Sequence, residues 1–108
     1  MSEVTLGPYR LGVPGEFGPR ILSLRRGDGP EIFATSVEAT IQRADGSYTF
    51  YGGHRLWASP EVPEFTYASE DNPCRVETAS DVVVVRGSVD GAGYSKEISV
   101  TLEDDRLR

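Results

Sequence analysis

Residues 81–103 read DVVVVRGSVDGAGYSKEISVTLE, two strands and the turn between them. In the second half, Tyr94, Lys96, Ile98, Val100 and Leu102 share one parity, while Ser95, Glu97, Ser99, Thr101 and Glu103 share the other. A period of two is a strand with one buried and one wet face, and Lys96 is expected near its exposed end. In the first half, Val82–Val85 has no polar alternation and reads as a strand covered on both faces. The Asp90-Gly91-Ala92-Gly93 segment between them supplies the turn, so the pair is a hairpin.

The same chemistry recurs upstream. Asp28-Gly29 and Asp45-Gly46 also lie between stretches rich in branched or aromatic residues, and Asp-Gly tolerates the positive φ angles of tight hairpin turns. Further strands are expected at Glu3–Leu6, Arg20–Arg25, Val37–Gln42 and Tyr48–Tyr51. A helix across Glu31–Arg43 is disfavoured by its weak caps and its β-branched residues Ile32, Thr35, Val37, Thr40 and Ile41. No other segment reads as helical. The fold class expected is all-β, an antiparallel β-sandwich.

Composition sets the outer limits. The chain has 108 residues, 11 basic and 17 acidic side chains and a net charge of −6. One domain spanning 1–108 is expected at that length. No run of about 20 apolar residues is present, so no membrane span is expected. The acidic start Met1-Ser2-Glu3 carries no signal-peptide pattern, and a cytoplasmic protein is the expectation. Nucleic acid and anionic membranes are not expected partners, because the chain is acidic and Lys96 is its single lysine. Cys74 is alone, which leaves no internal disulfide and no cysteine-based zinc set. Neither cofactor nor metal is expected.

Residues 52–75, GGHRLWASPEVPEFTYASEDNPCR, break the strand rhythm with three prolines and a Gly-Gly pair. Long loops in compact domains are often functional, and this one holds the only His, Trp and Cys. His54 is the natural general acid or base, as the one side chain that ordinarily titrates near neutrality. Arg55 offers a fork of donors for hydroxyls, carboxylates or phosphates. Trp57, Phe65 and Tyr67 present flat apolar faces. Beside carboxylates and an arginine, such rings suit the C–H face and hydroxyl rim of a pyranose. Glu61, Glu64, Glu70 and Asp71 are candidates for a paired-carboxylate glycosidase centre. A plainer reading stands beside this one: Trp57 and Phe65 as core, His54 as a bonded loop residue, Arg55 in an ion pair with Glu61, Glu64 or Asp71. Cys74 has only His54 as a partner, and no catalytic triad assembles.

Gly-Gly-His-Arg-Leu-Trp-x-x-Pro-Glu at 52–61, with Thr66-Tyr67 and Asp71-Asn72-Pro73 after it, resembles the aldose 1-epimerase (galactose mutarotase)-like superfamily, in particular its uncharacterised bacterial branch. Gly18–Leu24 and Phe33-Ala34 are similar to that branch's opening strands, so the likeness extends over most of the chain. The shorter pattern of Gly-Gly, Trp and Pro is similar to the sugar-phosphate mutarotases. The resemblance implies a partial galactose-mutarotase-like supersandwich with a sugar groove on one sheet. In catalytic members a His and a Glu pass protons between the anomeric hydroxyl and the ring oxygen. It makes His54 the candidate catalytic residue, and His54, Arg55, Trp57, Glu61, Tyr67 and Asp71 the candidate contacts to a small-molecule sugar. Relatives are much longer, and their acid and base lie mainly beyond the portion this chain resembles, which is the N-terminal third. No residue here matches the family's catalytic Glu. Carbohydrate binding without complete catalytic machinery is therefore expected. The alternatives are epimerase activity in an assembled oligomer and a small structural β-domain. A partial sandwich leaves sheet edges and a face uncovered, so a homo-oligomer is expected.

Overall fold

The computed structural model describes residues 1–35, 39–43 and 46–108. In chain order it contains β1 (Ser2–Leu6), β2 (Tyr9–Val13), β3 (Arg20–Ile21), β4 (Ser23–Arg26), β5 (Thr40–Arg43) and β6 (Gly46–Thr49). Then follow β7 (His54–Arg55), a helical turn α1 (Pro63–Thr66), β8 (Arg75–Ala79), β9 (Val82–Arg86), β10 (Glu97–Glu103) and β11 (Arg106–Leu107). The fold is all-β, and among the described residues every strand pairing is antiparallel.

Two sheets share one core. The first runs β1-β2-β4 and the second β11-β10-β9-β8. Alternate residues point inward, as the pleat requires: Val4 and Leu6, Leu11 and Val13, Val83 and Val85, together with Ile21 and Ile98. Fully burying a Val or Leu side chain contributes roughly 1.5–3 kcal/mol, so each of these positions adds substantially to stability. The molecule is elongated, with principal extents of 43 × 24 × 24 Å and a radius of gyration of 14.2 Å.

The 81–103 hairpin forms as expected, with Glu97 opposite Arg86 and Thr101 opposite Val82. Val83 and Val85 are buried, whereas Val82 and Val84 are only half-buried, so the second face is partly covered. Lys96 departs from expectation. Its side chain is 14% exposed and lies within ion-pair distance of Glu70 and Asp90. A second tight turn escapes the Asp-Gly rule: Asp104 and Asp105, at φ 49° and 60°, join β10 to β11 as a type I′ pair.

Three expectations upstream need correction. Arg20–Arg25 is not one strand; it breaks at Leu22, whose N–H donates to the Gly12 carbonyl at 2.9 Å. The two halves then pair with different partners, β3 with β7 and β4 with β2. Asp28-Gly29 does not lead into a paired strand. Instead the Glu31 carboxylate lies along β4 and accepts from Leu24 N–H at 2.8 Å, Ile32 N–H at 2.9 Å, Phe33 N–H at 3.1 Å and the Ser23 hydroxyl. A side chain thus takes the place of a strand at that edge. Thirdly, 63–66 forms a turn of helix where none was expected. The hairpin β5–β6 bears out a strand pair around Asp45-Gly46, but its second strand is Gly46–Thr49 rather than Tyr48–Tyr51, and Asp45 and the start of Val37–Gln42 fall outside the described residues.

The Glu31 arrangement has a pH signature. The Ser23 hydroxyl, with the Leu24, Phe33 and Ile32 N–H groups behind it, holds the Glu31 carboxyl down at about 2 against a smaller opposing push from desolvation. A carboxyl lowered in the folded state adds stability above its ordinary value and loses it as pH falls toward the lowered one. Glu31→Gln is expected to cost about 1 kcal/mol at pH 7, modest because an exposed carboxylate is screened. In urea unfolding, the gap to the parent protein closes as pH falls from 5 to 2; a gap constant over that window contradicts this account.

Candidate functional site

The site is built from Gly52-Gly53. Gly52 lies at φ +83°, and a Cβ there would stand 2.3 Å from the Ala34 carbonyl oxygen. Gly53 lies at φ +71°, and its Cβ would stand 2.4 Å from the Ile21 carbonyl oxygen. Only glycine permits both the left-handed backbone and the close approach. The Gly53 N–H donates to Ala34 O at 2.8 Å, and the chain enters β7 pressed against β3.

That register places Arg20 opposite Arg55 and Ile21 opposite His54. Cross-strand partners share a face, so the two guanidinium groups meet on one side of the ribbon. Like charges facing each other repel, and Glu70 lies between them. Its Oε2 accepts from Arg20 Nη2 at 3.1 Å, and its Oε1 lies 3.5 Å from Arg55 Nη2 and 3.4 Å from Lys96 Nζ. The Gly18 N–H donates to the Glu70 carbonyl at 2.9 Å and fixes the backbone there. Lys96 also stands 3.5 Å from Asp90, whose other oxygen accepts from the Ala92 and Tyr94 N–H groups.

Aromatic rings enclose the charges. The Arg55 guanidinium lies 4.3 Å from the Trp57 ring centroid and 4.8 Å from that of Tyr48, a double cation–π arrangement. Tyr67 meets Trp57 edge-on at 5.6 Å and Tyr48 at 5.5 Å, with Phe50 completing the group. Arg55 also reaches backbone: Nη2 donates to Thr66 O at 2.7 Å and Nε to Leu56 O at 3.2 Å. Thr66 is held by its own hydroxyl, which donates to Ala58 O and accepts from Val62 N–H, so α1 serves to position an acceptor for Arg55. Arg20 donates to Gly52 O at 2.6 Å and to the Tyr48 hydroxyl at 3.2 Å. Burial pushes the Tyr48 phenol above its ordinary value, against the opposing charge of Arg55. A hydrogen bond to Glu61 raises that of Tyr67.

Over these residues opens a cleft of about 290 Å³, walled by Trp57, Tyr48, Phe50 and the Gly52-Gly53 backbone, with Arg20 and Arg55 also contributing. Of the sequence-predicted contacts, Arg55 and Trp57 line it and Tyr67 packs behind them. Glu61 is exposed and accepts from the Tyr67 hydroxyl; Asp71 is exposed and accepts from the Tyr51 hydroxyl. His54 is not brought to the cleft. As the neighbour of Arg55 in a strand it points to the opposite face, exposed, beside Ile21, Leu24, Phe33 and Leu107. Trp57 and Phe65 are 52% and 42% exposed, so neither is core, and the ion pair of Arg55 is with Glu70 rather than Glu61, Glu64 or Asp71. No two of the four candidate carboxylates share a partner: Glu70 is held among cations, Glu61 and Asp71 by separate tyrosines, and Glu64 is exposed. Among the described residues no group of three His, Cys, Asp or Glu side chains converges as a metal set would. Burial, with the Glu70 charge adding to it, raises the Cys74 thiol, the opposite of what activates a nucleophile.

Sequence reasoning missed Arg20, Tyr48 and Lys96 and gave Glu70 no more weight than its neighbours. One signal was present: Lys96 shares the inward parity of Ile98 and Val100, and a lone lysine in that register calls for a buried partner. No protein-family model, curated protein or solved structure matches the chain, so residues and geometry alone carry its functional reading.

Proposed function

We propose that the chain binds carbohydrate in the cleft between Trp57 and the Gly52-Gly53 backbone. The observation that carries this reading is the Trp57 ring, half exposed at a cleft whose wall includes two buried guanidinium groups. Flat apolar walls with a few fixed polar groups are what orient a small ligand, and a volume near 300 Å³ is the lower end for such sites. A pyranose fits that description, with C–H bonds toward a ring and hydroxyls toward donors. The likeness of residues 52–61 to mutarotase-like proteins supports the same reading. Binding rather than turnover is proposed. Ring opening needs a proton donor and acceptor converging on the anomeric carbon, but His54 faces away from the cleft and Glu70 is ringed by three cations.

Trp57 is the only tryptophan, so its emission reports the site. Titration with a panel of hexoses is expected to give saturable quenching, and Arg55→Ala is expected to weaken that response at least tenfold. Emission unchanged by hexoses and hexuronates alike removes carbohydrate binding.

A further inference from the structure

Two buried donors in this site have no partner among the described residues. Arg20 Nε and Arg55 Nη1 are each shielded from solvent and make no hydrogen bond to any of them. Their side chains are 2% and 7% exposed, and both contribute to the same cleft wall. An orphaned N–H on a buried charge is the costly case among unsatisfied groups, and native structures that retain one require an explanation. Here two occur on arginines directly opposite each other in the β3–β7 register.

The charge balance points the same way. Among the described residues of the site, Arg20, Arg55 and Lys96 contribute three positive charges and Glu70 and Asp90 two negative ones, so 3 − 2 leaves one positive charge over. A neutral sugar would leave that charge standing. One carboxylate would cancel it, and its two oxygens are the natural counterpart of guanidinium N–H groups. A phosphate dianion would overshoot the balance by one.

On the carbohydrate reading above, we infer that the ligand is an acidic monosaccharide, a pyranose whose carboxylate is received by Arg20 Nε and Arg55 Nη1 while its ring lies against Trp57. The small cleft fits one ring rather than a chain of them. Both atoms are shielded, so receiving the carboxylate requires the two guanidinium groups to turn toward the cleft and exchange some of their present hydrogen bonds for it.

The first test uses the intact, unsubstituted protein. Glucuronate and galacturonate are titrated against their methyl esters, the parent hexoses and the hexose 6-phosphates, all followed by Trp57 emission. A uronate is expected to bind at least tenfold more tightly than its methyl ester, and the advantage is expected to shrink as ionic strength rises. Equal affinity for acid and ester overturns the inference and leaves carbohydrate binding intact. Preference for the phosphate over the uronate overturns the carboxylate assignment. Silence from every ligand overturns both readings. Arg55→Gln, checked for folding by circular dichroism, is expected to abolish the difference between acid and ester; a retained difference contradicts the proposed contact.

Discussion

Glu70→Ala is expected to lower the free energy of unfolding by about 3–5 kcal/mol, the scale for removing one partner from a buried charge group. The carboxylate is the only negative group between Arg20 and Arg55 in the pairs described above, and its side chain is 2% exposed. Without it, two guanidinium groups and the Lys96 ammonium face one another where water cannot screen them. Domains of this size are stable by only about 5–15 kcal/mol, so the variant would sit close to unfolding at room temperature. Urea denaturation followed by Trp57 emission measures the effect. Glu70→Gln keeps the shape and loses the charge, and it is expected to recover little of the loss. Combining it with Lys96→Met removes one of the stranded cations but takes from Asp90 its ion-pair partner, so the double variant is expected to lose less than the sum of the two single losses, a coupling that a double-mutant cycle reads directly. A Glu70→Gln protein as stable as the parent would show that packing, not charge, holds the site.

The second large effect is expected from Gly52→Ala. Left-handed backbone costs an L-residue about 1–2 kcal/mol. The new methyl would also meet Ala34 O at 2.3 Å and Thr35 Cα at 2.6 Å, both backbone atoms with no rotamer to yield. With overpacking costs of about 1–3 kcal/mol added, a loss of roughly 3 kcal/mol is expected. The sugar response should fall with it, because Gly52 is part of the cleft wall. Gly27→Ala is the matching control: Gly27 is also left-handed, at φ +55°, but its Cβ would meet nothing within 4 Å. It should cost only the conformational share. If the two variants prove equally destabilised, the close approach at Gly52 is not what requires glycine.

The strands were legible wherever one face is wet and the other dry. Ile98, Val100 and Leu102 announce β10 by alternation, and β9 and β1 follow from their branched residues. β2 was not, since Tyr9-Arg10-Leu11-Gly12-Val13 begins with a pair of polar-edged residues and carries a glycine, which hides its alternation. The break at Leu22 was invisible because it is set by the partners of β3 and β4, the strands β7 and β2, and pairing leaves no mark on composition or periodicity. The same holds for the site. Gly52-Gly53, Arg55 and Trp57 were found because they are unusual neighbours in sequence. Arg20 and Lys96 were not, because each is an isolated charge in an otherwise ordinary strand environment, and only tertiary pairing with Glu70 gives it a role. His54 shows the converse: chemical rarity singled it out, and strand parity turned it away from Arg55.

The elongated outline described earlier bears on how the particle behaves in flow. A compact chain of this length has a radius of gyration of about 13 Å, whereas this one has 14.2 Å and is 43 Å long by 24 Å across. A single chain of that outline experiences more friction than a sphere of 11.8 kDa, so on a sizing column it is expected to elute early and imitate a heavier species. Column position alone therefore overstates self-association, and the mass of the particle has to be read by sedimentation equilibrium or light scattering, where shape drops out.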